Sequence, residues 1–86
     1  MPKYRKRPVI IEATQFFQDE YDRIGTLPPG ACECRLRGGV HCHTMEGIVR
    51  VNHLDWIVCG VAGEFYPVRE HIFAATYEPV EDTLHA

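Results

Sequence analysis

The stretch Asp55-Trp56-Ile57-Val58-Cys59-Gly60-Val61-Ala62-Gly63-Glu64-Phe65-Tyr66-Pro67-Val68 decides the fold class. Residues 55–59 and 64–68 are rich in β-branched and aromatic side chains, and they flank a segment carrying Gly60 and Gly63. That is the arrangement of two antiparallel strands joined by a short loop. Upstream the same signature recurs: residues 32–36 and 40–45 flank Arg37-Gly38-Gly39, and Glu46-Gly47 offers a tight turn before a strand over 48–51. Residues 8–16 read as a further strand, with Val9, Ile11, Ala13 and Gln15 on one face and Ile10, Glu12, Thr14 and Phe16 on the other.

Helix is a minor component. Asp19 and Glu20, with Phe17, Tyr21 and Ile24 at helical spacing, predict one or two turns stopped at Gly25, before Pro28-Pro29-Gly30 forms a loop. Residues 69–75 predict a second short helix, and 76–80 a last strand stopped near Pro79. The expected fold is therefore α+β, a small and mostly antiparallel curled sheet of five to seven short strands with one or two short helices.

The chain has 86 residues and a mass of 9.9 kDa, enough for one domain over 1–86, with a basic arm at 1–7 and a tail at 81–86 expected to fray. The net charge of −3 and pI of 5.9 argue against a general nucleic-acid binder and against an electrostatic membrane anchor. Residues 1–12 show no export-type apolar stretch, so a cytoplasmic location is expected and the four cysteines are read as free thiols or ligands rather than disulfides.

Both ends of the chain carry further strings: Lys3-Tyr4-Arg5-Lys6-Arg7-Pro8-Val9-Ile10-Ile11-Glu12-Ala13 with Gln15, then Asp55-Trp56-Ile57-Val58, Gly63-Glu64-Phe65-Tyr66-Pro67, Ile72-Phe73 and Thr76-Tyr77-Glu78-Pro79-Val80. Together they resemble a family of small, uncharacterised bacteriophage and prophage proteins, over residues 3–15 and 44–80. The resemblance implies a phage origin and a host-cell cytoplasm, and it brings no reaction, cofactor or catalytic residue. Where that family places Pro-Gly before Asp-Trp, this chain has His53-Leu54.

Physically, Trp56, Phe65, Tyr66, Phe73 and Tyr77 are expected to form the core, since each ring buries ~150–250 Å² when packed. Their alternative use is an aromatic wall for a ligand. Cys32, Cys34, His41 and His43 fall on one face of a hairpin with a two-residue turn, a donor set chemically suited to tetrahedral zinc. The competing reading has the cysteines packing and the histidines facing water. Arg35, Arg37, Lys3 and Arg5 are candidate anion ligands for a phosphate. A Cys59, His53, Asp55 nucleophile set can be drawn, but strand spacing holds the groups too far apart, so no catalysis is expected.

The function expected from the sequence is non-enzymatic binding, foremost to a host protein, through exposed sheet edges and surface aromatics, with self-association into a homo-oligomer fitting the same reasoning. Sequestration of a small host signalling nucleotide is the alternative, and a zinc-stabilised module the third. No other cofactor, nucleic acid or membrane partner is expected.

Overall fold

The computed structural model describes residues 1–5, 9–33 and 38–80. Six strands and two helices follow in the order β1 (Glu12–Gln15), α1 (Gln18–Ile24), β2 (Ala31–Glu33), β3 (Val40–Thr44), β4 (Gly47–Arg50), β5 (Trp56–Cys59), β6 (Phe65–Val68) and α2 (Glu70–Thr76). The protein is α+β, and among the described residues every strand pairing is antiparallel. The expected single curled sheet divides into two sheets of three strands, β1-β5-β6 and β2-β3-β4. The division lies at the turn between β4 and β5, where the chain leaves one sheet and enters the middle of the other.

That turn is built by Asn52, His53, Leu54 and Asp55. Asp55 N–H donates to Asn52 C=O at 3.0 Å, and Leu54 occupies the third position with φ 75°. A positive φ at this position is what a type II turn demands and what glycine supplies without strain. Leucine therefore sits in the left-handed region that glycine occupies without strain. The buried Asp55 compensates in part: its Oδ2 accepts from Asn52 N–H at 2.9 Å and ties the turn across its mouth.

Antiparallel register assigns the faces of the first sheet. Ala13 opposes Val58 and Val58 opposes Tyr66; Gln15 opposes Trp56 and Trp56 opposes Val68. Opposed residues share a face, so Ala13, Gln15, Trp56, Val58, Tyr66 and Val68 line the side on which α2 lies. Ile57, Cys59, Phe65 and Pro67 line the side that meets the second sheet, where β3 packs against β6. On that second side Phe16, Val40, Cys42, Val51 and Ile57 form the buried cluster, with Tyr21, Leu27, Ala31 and Phe65 against it. Val58 is also fully buried yet stands outside this cluster, because it faces α2.

The centre of the core thus differs from the sequence expectation. Trp56, Phe65, Tyr66, Phe73 and Tyr77 are all half-buried, and of these Phe65 alone packs on the buried cluster. The deeply buried positions are supplied by Phe16 and by smaller aliphatic and thiol side chains of the two facing sheets. Gly30, with φ 88°, marks how closely the loop approaches that cluster, since a Cβ there would collide with the Phe65 side chain.

Strand ends also shift from expectation. The first strand is confined to Glu12–Gln15, and the turn between β3 and β4 is Met45-Glu46, with Gly47 already in β4. Residues 77–80 form no strand. Thr76 belongs to α2 instead, its hydroxyl donating to Ile72 C=O at 2.7 Å, and Pro79 brings no N–H to a ladder. Gly25 stops α1 as expected, at φ 74° with its N–H bonded to Tyr21 C=O. Residues 6–8, 34–37 and 81–86, which include parts of the basic arm, the expected strand over 32–36 and the terminal tail, lie outside the described residues.

Candidate groove between the first strand and the last helix

On the α2 side of the first sheet, three rings form a stack. Trp56 projects from β5 onto Phe73 with centroids 4.2 Å apart and planes 7° from parallel, and Phe73 stacks on Tyr77 at 4.9 Å and 27°. Phe73 and Tyr77 meet because residues four apart lie on one helix face. The stack is half-buried because it forms the floor and wall of a groove of about 560 Å³, whose opposite wall is residues 9–11 with Ala13 and Gln15. Residues 78–80 line it as well, so residues 9–11 and residues 78–80, far apart in sequence, meet at this groove.

Its electrostatics are one-sided. Glu70 and Glu78 line the groove, and no Lys, Arg or His does so among the described residues. Glu70 is fixed rather than free: the Gln15 amide donates one N–H to Glu70 Oε2 at 3.0 Å and the other to Leu54 C=O at 3.0 Å. Both amide hydrogens are thereby used, and a carboxylate is held at the mouth between β1 and α2. Behind the stack, the hydroxyls of Tyr66 and Tyr77 hydrogen-bond. That bond, with lesser contributions from burial and from the charge of Glu64, raises the Tyr66 phenol to about 12.

β1 is an edge strand of its sheet. The groove therefore combines a strand edge left unpaired among the described residues, an adjacent helix and an aromatic floor. An extended peptide can add its main chain to such an edge while its alternate side chains enter the groove.

The other expected sites resolve differently. Cys32 and His41 oppose each other across β2 and β3, and His43 lies two residues further along β3. His41 is buried with an unpartnered Nδ1, whereas His43 is exposed, so the expectation that both histidines face water holds for His43 alone. Cys34 lies outside the described residues, and no three potential ligands gather among those described. Cys42, the next residue to His41, points instead into the main cluster, and burial lifts its thiol from 9.0 to about 11.

Lys3 and Arg5 are exposed and line no groove, while Arg35 and Arg37 lie outside the described residues. His53, Asp55 and Cys59 do not assemble. The His53 Nδ1 accepts from Gln18 N–H at 3.0 Å and so caps α1, Asp55 closes its turn, and the Cys59 thiol contacts Gly60 C=O at 3.8 Å. The groove was legible in the sequence only as five large rings; nothing local indicated that three of them would stack beside an edge strand.

No helix among the described residues is long and apolar enough to cross a membrane. No protein-family model, curated protein or solved structure matches the chain.

Proposed function

We propose that this protein is a phage-encoded binding module without catalytic activity, which captures an extended segment of a host protein in the host cytoplasm. The segment adds as a strand along β1 and lays its apolar side chains over Trp56, Phe73 and Tyr77. The observation that carries the reading is the composition of the groove: an aromatic stack left half-open beside a free strand edge, with Glu70 and Glu78 as its charged groups. Such a surface favours aromatic or aliphatic side chains interleaved with Lys or Arg.

The same carboxylates count against nucleotide sequestration at this groove. A phosphate placed there would meet two negative charges and no described cation, a repulsive arrangement.

A random peptide library of about a dozen residues, long enough to follow one strand edge, tests the proposal. Panning against the wild-type protein is expected to enrich sequences alternating apolar and basic residues. Binding of those sequences should fall about tenfold or more, ~1.4 kcal/mol, in Glu70→Lys/Glu78→Lys. Enrichment of acidic sequences, or binding indifferent to both glutamates, would remove the proposal.

A further inference from the structure

We infer that in the isolated protein the groove is occupied by the N-terminal segment, residues 1–5, of a second copy, the exchange being reciprocal about a two-fold axis. The inference rests on the peptide-binding reading of the groove and names an occupant for it.

The segment and the groove are complementary. Residues 1–5 are exposed, with Tyr4 93 % accessible, so the segment does not lie in the groove of its own chain. In extended backbone Lys3 and Arg5 point to one side and Tyr4 to the other, so one side presents two cations and the other a ring. The groove offers two carboxylates, Glu70 and Glu78, and a stack on which a ring can lie. Opposed charges and a stacking partner are thus present on one chain at surfaces that do not meet within it.

Position supports the exchange as well. Val9, Ile10 and Val80 stand at the rim of the groove and are 47 %, 78 % and 66 % accessible, an apolar margin that a lone chain leaves in water. Because residues 9–11 form one wall, each N-terminal segment departs from the rim of its own groove. A two-fold rotation about an axis near that rim carries each segment to the other copy's groove, and the contact is self-complementary, as a closed dimer requires. It covers the rim of both copies together, and a domain of this size gains most from such added burial.

Sedimentation of full-length protein over a concentration series tests the inference, with fluorescence of Trp56, the one tryptophan in the chain, reporting the groove. Wild type is expected to dimerise. Lys3→Glu/Arg5→Glu and Glu70→Lys/Glu78→Lys are each expected to weaken the dimer about tenfold or more. An equimolar mixture of the two variants should regain it, because both exchanged contacts are then again between opposite charges. The altered residues are exposed, and circular dichroism of each variant confirms that it folds.

A wild-type monomer throughout the series overturns the inference, and so does a dimer indifferent to both variants, whose interface must lie elsewhere. Folded variants that fail to recombine overturn it too. The groove reading fails separately: if wild type is monomeric while basic-apolar peptides from the library still bind, self-exchange falls and peptide capture stands.

Discussion

Replacing Phe73 by alanine removes the middle ring of the stack, and its cost follows from the geometry. A fully buried phenylalanine truncated to alanine costs ~3–5 kcal/mol. Phe73 is half-buried, which scales that term to about 2 kcal/mol, and it is shared between two ring contacts worth ~0.5–1.5 kcal/mol each beyond burial. The expected loss is about 3–5 kcal/mol. In a domain this small that lowers Tm by more than about 10 °C. Phe73→Leu retains most of the apolar area and forfeits both stacking contacts, so about 1–3 kcal/mol is expected. Urea and thermal melts followed by circular dichroism measure stability, and Trp56 emission, shifted to longer wavelength by exposure, measures opening of the groove. If Phe73→Ala stays within about 0.5 kcal/mol of wild type and leaves the emission unchanged, the ring is not sandwiched as described and the groove loses its floor.

The remaining predictions concern a turn and a thiol. Leu54→Val places a β-branched side chain at positive φ and should destabilise by ~1–2 kcal/mol, while Leu54→Gly, which relieves strain but loosens the unfolded chain and loses side-chain packing, should fall close to wild type; equal stability of the two in urea denaturation would contradict the turn geometry. Burial raises the Cys42 thiol from 9.0 to about 11, so the folded state keeps a proton that the unfolded state releases. Its contribution is intact below pH 9 and is lost as pH rises toward 11, on the order of 2–3 kcal/mol across that window. Alkylation at mildly alkaline pH followed by mass spectrometry should therefore modify the half-buried Cys32 and Cys59 before Cys42, and Cys42 only with unfolding; early modification of Cys42 would show that it is accessible.

How much was legible varies with how local the information is. The β5-β6 hairpin and the short α1 with its Gly25 stop could both be read from neighbouring residues, because each depends on local backbone preference and on side chains within a few positions. Thr76 and Tyr77 have β-like character, which is why residues 76–80 read as a strand, whereas Thr76 completes α2 and Tyr77 is its C-cap, stacked on Phe73 four residues back. The burial of Phe16 was missed for a related reason. Its strand has mixed faces, and only the approach of β3 to the far side of the first sheet makes one of them interior. His41 and His43 are indistinguishable by alternation along β3, yet one is buried and the other exposed.

By itself the sequence determined the class of object: a small α+β fold of short antiparallel strands, with cysteines, aromatics and charges in known order along them. That much follows from periodicity and turn chemistry, which act over a few residues. The tertiary structure decided that the strands form two sheets rather than one, and that the aromatic side chains divide between a sheet-to-sheet core and an open stack beneath α2. It also brought residues 9–11 and 78–80 to one groove. Those outcomes depend on which faces meet across long sequence separations, and a side chain of given hydrophobicity satisfies the same local pattern whether the surface opposite it is another sheet, a helix or water.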